Sequence, residues 1–221
     1  MENFADCPLP LPTARSDKSK RLTVLSEAEK QALYDLPDFD DFQRTEFLAM
    51  TEKEHAIVFQ RNGLRAQIYC LLQIGYFKAK KTFFRFSLQD VSQEDITFVM
   101  QRYFPGMILV QRSLQMKEYY LQRNEIMDLF GYRLWLESDF SILFDKATRL
   151  ARHDVTPTFI LTDLIVTLNT YKIVRPGYTT LQSIIGDALF SERRRLEQLI
   201  NEILDEVAPP LCQYDLRHLP L

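Results

Sequence analysis

A chain of 221 residues, 46% hydrophobic and 26% charged, carries enough apolar content for one large core or two smaller ones, which excludes a natively disordered chain. The net charge of −3 and the isoelectric point near 5.7 give no whole-chain sign of a polyanion partner, since only a local field reports one. Cys7, Cys70 and Cys212 lie far apart and are odd in number, which argues against a disulfide framework and points to a reducing, cytoplasmic compartment.

In chain order, the opening MENFADCPLPLPTARSDKSKR lacks the apolar segment of a secretory signal, and residues 1–21 read as a flexible lead-in. No later apolar run approaches the roughly 18–20 residues that a membrane helix needs. Ser26 with Glu29 and Thr51 with Glu54 fit the S/T-x-x-E capping box, so helices are expected near 27–35 and 52–61, with a shorter one around 41–49. Asp38, Asp40 and Asp41 follow Pro37 between helices, where aspartates act as caps. Asn62-Gly63 supplies a stop. The next helix sets Leu64, Ile68, Leu71, Leu72 and Gly75 on one stripe at helical spacing, and it runs into a segment of three lysines and three phenylalanines. Ser92 caps a helix through Tyr103, ended by Phe104-Pro105-Gly106. Further helices are expected over 115–130, closed by Gly131, and over 139–152.

Thr156-Pro157 places proline at the first position of a helix whose inner side is Ile160, Leu161, Leu164, Ile165, Leu168 and Tyr171. After Pro176-Gly177, Thr179 or Thr180 caps a helix through about 190, and Ser191 starts a last one. That last helix is expected to bury Leu196, Leu199, Ile200, Ile203, Leu204 and Val207 until Pro209-Pro210 stops it. With only six glycines and this spacing, the chain reads as all-α: a multi-helix bundle of two packed subdomains, 22–104 and 115–208, the second with a helix-turn-helix-like element, followed by a tail over 209–221.

Charge is sorted along the chain. Residues 26–54 hold nine acids against three bases, whereas residues 55–89 hold six bases and no acid. On one reading Lys78, Lys80, Lys81 and Arg85 grip phosphates while the neighbouring aromatic rings anchor the segment in the core. On the other, the cations form an ordinary solvated face, with the acidic block pairing against them inside the fold. The second candidate is residues 174–195. Leu181, Ile184, Ile185, Ala188 and Leu189 form its buried stripe, leaving Gln182, Ser183 and Gly186 outward, with Arg175 and Tyr178 beside the helix start. This is the layout of a recognition helix, yet ordinary helical packing gives the same pattern, the 172–178 connection is long for a strict helix-turn-helix, and Asp187 would repel phosphate. Arg193, Arg194 and Arg195 form a third basic cluster, which Glu192 and Glu197 can neutralise as surface pairs.

Nothing composes an active site. His55, His153 and His218 sit in no metal-ligand spacing, and the chain has no GxxxxGK[ST], GxGxxG or GxSxG. No cofactor, metal or catalytic residue is expected.

The ordered series LSEAEKQALYDLPDFDDFQRTEFLAMT, QIYCLLQIGYFKAKKTFFRF, QRYFPG, RNEIMDLFGYRLW and IVRPGYTTLQSIIGDAL resembles the N-terminal region of the Tn-three family transposases of replicative bacterial transposons, over residues 21–208. The resemblance implies a helical region that binds the terminal inverted repeats of duplex DNA. In that family an RNase-H-like domain with three metal-binding carboxylates lies far downstream. No position here matches those carboxylates, so the chain is expected to be a recognition fragment or shortened reading frame without catalysis. Carried onto this sequence, Lys78, Lys80, Lys81 and Arg85 become backbone contacts, while Arg175, Tyr178, Thr179, Thr180, Gln182 and Ser183 face the groove, because arginine, amide and hydroxyl groups discriminate base edges. Self-association through the full-length transposase is the further partner implied. The rival reading is a helical interaction or dimerisation module without direct DNA contact.

Overall fold

The capping boxes set the first helices. In the computed structural model, which describes residues 22–109 and 116–207, Ser26 and Glu29 cap α1 (Glu27–Tyr34), and Thr51 and Glu54 cap α3 (Glu52–Phe59). A third box, Asp40 with Gln43, opens α2 (Asp41–Phe47). Gly63, at φ 89°, leads into α4 (Leu64–Lys80), and α5 (Gln93–Tyr103), α6 (Met116–Phe130), α7 (Asp139–Ala151), α8 (Pro157–Thr170) and α9 (Tyr178–Val207) complete the order. The class is all-α, with no strand among the described residues beyond an isolated bridge between Arg133 and Ile173. Part of the expected inner boundary, residues 110–115, and both termini, 1–21 and 208–221, lie outside the described residues.

Two hydrophobic cores result. In the first, α4 is the axis: Ile68, Leu71, Leu72, Ile74, Tyr76 and Phe77 are all buried and are wrapped by Leu48, Val58, Val99 and Ile126. The phenylalanines after α4 turn into this core, with Phe84 buried and Phe86 stacked on Tyr69 at 4.2 Å between ring centres. The second core is built by Leu143 and Ala147 of α7, Ile160, Leu161, Leu164 and Leu168 of α8, and Leu181, Ile184, Ile185 and Ala188 of α9. The cores do not follow chain order at either end. Helix α6 contributes Tyr119, Ile126 and Met127 to the first core, and Val24 and Leu25, which precede α1, belong to the second.

Two expectations are corrected at the C-terminal end. Ser191 does not start a new helix, and α9 runs unbroken for 30 residues. No glycine or proline interrupts it after Gly186, Arg194 lies over Phe190 across the expected junction, and Arg195 with Glu192 and Arg193 with Glu197 pair just beyond it. Nor is the apolar stripe of its second half covered. Leu196, Leu199, Ile200, Ile203 and Leu204 are 42–56% exposed, because α7 ends at Ala151 and Arg152, the next residue, already reaches Glu192. Tyr171, expected on the inner side of α8, follows its last turn and is exposed as well.

Gly75 of α4 packs against the C-terminal end of α2. A Cβ there would collide with the side chain of Leu48 and come within 3.2 Å of the Phe47 carbonyl oxygen. Alanine improves helix propensity by about 1 kcal/mol, but forcing a methyl against a buried leucine costs about 1–3 kcal/mol. Gly75→Ala is therefore expected to lower stability by about 1 kcal/mol, read as a reduced urea midpoint at unchanged slope.

Candidate nucleic-acid interface

Helix α4 ends in its cations. Lys81 takes the left-handed conformation at φ 51°, closing the helix with its N–H on the Phe77 carbonyl at 2.9 Å. Lysines in a last turn complement the negative end of the helix dipole, and here their ammonium groups also reach free carbonyls. Lys81 Nζ donates to the Lys78 carbonyl at 2.7 Å, Lys78 Nζ to the Ala49 carbonyl at 2.6 Å, and Lys80 Nζ to the Asp35 carbonyl. Lys78 also lies 3.4 Å from Glu54, so one member of the early acidic block does pair with the basic block inside the fold. Arg85, by contrast, is exposed; it donates to the Tyr120 hydroxyl at 3.0 Å and stacks over Tyr119.

The second basic segment arrives at the same place. The connector from Tyr171 to Gly177 is fixed on two sides: the Arg133 N–H donates to the Lys172 carbonyl and the Val174 N–H to the Arg133 carbonyl, both at 2.9 Å, while the Arg175 N–H donates to the Lys81 carbonyl at 3.1 Å. That last bond joins the two segments separated by more than ninety positions in sequence. Lys172, left-handed at φ 54°, adds an exposed ammonium over the Tyr132 ring at 5.0 Å. Nothing in the residue pattern around Lys172 had singled it out; its neighbour IVRPGY was the only signal.

Burial lowers the pKa of Lys81, and the fields of Lys172 and Lys78 lower it further. Burial does the same to Lys80, with Asp35 opposing and Arg175 adding to the effect. Among the described residues, Lys80, Lys81, Lys172 and Arg175 have no carboxylate within ion-pair distance. The cluster is thus a local concentration of like charge in a chain of near-zero total.

Arg175 itself is only 9% exposed, which shifts its pKa down by desolvation. One guanidinium nitrogen donates to the Leu33 carbonyl at 3.2 Å, the group lies over the Tyr34 ring, and Nε has no partner. Beside it opens a cavity of about 540 Å³ whose walls carry both signs, Lys80 and Arg175 facing Asp35 and Asp38. Tyr178 and Gln182 likewise engage the chain's own N-terminal part: the Tyr178 hydroxyl accepts from the Val24 N–H at 3.3 Å, and Gln182 Nε2 donates to the Leu22 carbonyl at 2.6 Å. Tyr178 also meets Tyr34 edge-on and lies under Lys30. Thr180 is half-buried. Of the six residues expected to face a groove, Thr179 and Ser183 are the exposed ones, and the Ser183 hydroxyl lies 3.4 Å from Asp187.

The other candidate chemistry resolves simply. Arg195 and Arg152 both pair with Glu192, Arg193 pairs with Glu197, and Arg194 stacks over Phe190. His55 stacks on Phe59, and no group of three metal-binding side chains occurs among the described residues. Cys70 is buried, which pushes its thiol up to about 12.

Fold and site together define a helical protein whose two cores meet at a seam of cations carried by the end of α4 and the lead-in to α9. A family model, described as Domain of unknown function (DUF4158), matches residues 24–188, and the chain belongs to that family. No curated protein matches the chain. The matched stretch reaches from the first residue of the second core, Val24, to its last, Ala188.

The seam has an acid-sensitive anchor. Arg133 grips Asp139 through two nitrogens at 2.6 and 2.7 Å, and the Leu136 N–H adds a third bond. These hold the Asp139 carboxyl below its ordinary range, the arginine being the largest cause. A depressed folded-state pKa contributes stability that is complete above the unfolded value and is lost as pH falls through the folded one. Wild-type protein is therefore expected to lose stability on acidification below the ordinary aspartate range, and Asp139→Asn to be weaker at neutral pH with a shallower acid loss, measured as urea midpoints across pH.

Proposed function

We propose that this chain is the DNA-binding N-terminal region of a Tn-three-type transposase, binding duplex DNA at the transposon's terminal inverted repeats without carrying catalysis. The single observation behind this reading is the bond from the Arg175 N–H to the Lys81 carbonyl, which gathers Lys80, Lys81 and Lys172 at one seam without a carboxylate in ion-pair reach among the described residues. Like charges held together in the free protein repel, and a phosphate backbone relieves that repulsion while releasing its own counterions. The motifs IGYFKA and IVRPGYTTLQ, which resemble that transposase region, support it.

The roles divide by exposure. Lys81, Lys172 and Arg85 are the backbone contacts, with Lys80 beside them. Arg175 acts as a positioning residue, holding the lead-in to α9 against Leu33 and Tyr34. Base discrimination falls to the first turns of α9, where Thr179 and Ser183 are open to a groove. Lys78, tied to Ala49 and Glu54, serves the fold. Action on bacterial DNA would place the protein in the cytoplasm; no described helix is long and apolar enough to cross a membrane.

Fluorescence anisotropy on a terminal-repeat duplex, repeated over a salt series, tests this. Affinity is expected to fall steeply with salt, and Lys81→Ala and Lys172→Ala each to reduce the log–log slope by up to about one unit. Lys78→Ala is expected to lower stability and leave the slope unchanged. A salt-independent response, or equal binding to an unrelated duplex, overturns the reading.

A further inference from the structure

We propose that the cavity beside Arg175 is a binding site for a small aromatic α-amino acid, held as the zwitterion. Four charged side chains line it, Lys80 and Arg175 of one sign and Asp35 and Asp38 of the other. Among the described residues, none of the four is within ion-pair distance of an opposite charge. Opposite charges that surround one cavity without meeting are complementary to a ligand that carries both.

Arg175 points to the anionic end of that ligand. The residue is only 9% exposed, its guanidinium donates to a neutral carbonyl, that of Leu33, at 3.2 Å, and its Nε has no partner. A buried charge ordinarily has a counter-ion, because its desolvation is otherwise uncompensated. Burial lowers the pKa of Arg175, which expresses the same cost. Lys80 extends the positive end: its ammonium is tied to the Asp35 carbonyl and lies in the field of Arg175. A carboxylate here would meet two cations, while Asp35 and Asp38, both exposed, offer an ammonium group two acids on the solvent side.

The walls and the size narrow the class. Phe39 and Phe47, stacked at 5.5 Å between ring centres, form part of the lining and give an aromatic side chain a platform. The volume of about 540 Å³ lies within the range of small-molecule sites, which combine apolar walls with a few convergent polar groups. A nucleotide or a duplex would set further negative charge against Asp35 and Asp38, and a simple carboxylate would leave those acids without a partner. The amino acid satisfies both ends. This site needs neither Lys81 nor Lys172, so it stands whether or not the seam binds DNA.

Isothermal titration calorimetry on the full chain near neutral pH tests the site, with phenylalanine, 3-phenylpropionate and 2-phenylethylamine as probes. Phenylalanine is expected to bind with one-to-one saturation, and each analogue, lacking one of the two charges, to bind at least about tenfold more weakly. Asp35→Asn with Asp38→Asn, both at exposed positions, should weaken phenylalanine about tenfold, leave 3-phenylpropionate unchanged and preserve the far-ultraviolet dichroism spectrum. Lys80→Gln should weaken phenylalanine and 3-phenylpropionate alike and leave 2-phenylethylamine unchanged. Absence of saturation by phenylalanine up to its solubility, equal affinity for the three probes, indifference to the paired aspartate substitution, or displacement of phenylalanine by an equal concentration of inorganic phosphate each overturns the proposal.

Discussion

The backbone of four residues, Lys172 to Arg175, ties the two cores of this molecule to each other. Peptide groups buried between two helical cores must find partners, and these find them on opposite sides, with Arg133 on one flank and Lys81 on the other. The connector is thereby a short extended segment clamped between the end of α4 and the link from α6 to α7. Everything attributed to the basic seam follows from that clamp. It brings Lys172 beside Lys81, places Arg175 under Tyr34, and sets the point from which α9 departs. The left-handed turns at Lys81 and Lys172, uncommon for residues with side chains, occur at the two ends that the clamp joins.

The charge sorting of the sequence has a double meaning in the fold. Part of it is internal: Glu54 meets Lys78, and the carbonyls of Asp35 and Ala49 receive Lys80 and Lys78. Another internal pair, Arg44 with the fully buried Asp95, lies within the first core at 2.8 Å; desolvation raises the Asp95 pKa despite the arginine. The net stability such a pair adds is small, because desolvation offsets much of the attraction. What remains after internal pairing is a smaller and more local excess of positive charge than the six bases of residues 55–89 suggest by count.

Local signals were legible in the sequence and distant ones were not. The boxes at Ser26 and Thr51, the proline opening α8 and the glycine closing α6 all act within one helical turn, so four residues suffice to read them. The burial of the α4 stripe and of the neighbouring phenylalanines was also legible, because an unbroken apolar period needs a core whatever its partner. Gln182 and Arg175 were read as outward-facing, yet they contact Leu22 and Leu33, 160 and 142 positions away. No periodicity encodes such a contact. Ser191 failed as a boundary for a related reason: a serine that could begin a helix is tolerated inside one when strong helix formers and i,i+4 pairs continue past it. The strip beyond it has the pattern of a buried face, and pattern alone cannot reveal that its neighbour ends one turn too soon.

The unbroken course of α9 gives the fold a mechanical property. Thirty residues of continuous helix extend roughly 45 Å, with the first turn seated on the clamped connector and the last turns standing clear of either core. A rod of this kind transmits rotation with little loss, since bending it would require breaking successive main-chain bonds. Because Leu181, Ile184, Ile185 and Ala188 seat the first half of the rod in the second core, a load on its last described turns would be carried by that core beneath Thr179 and Ser183.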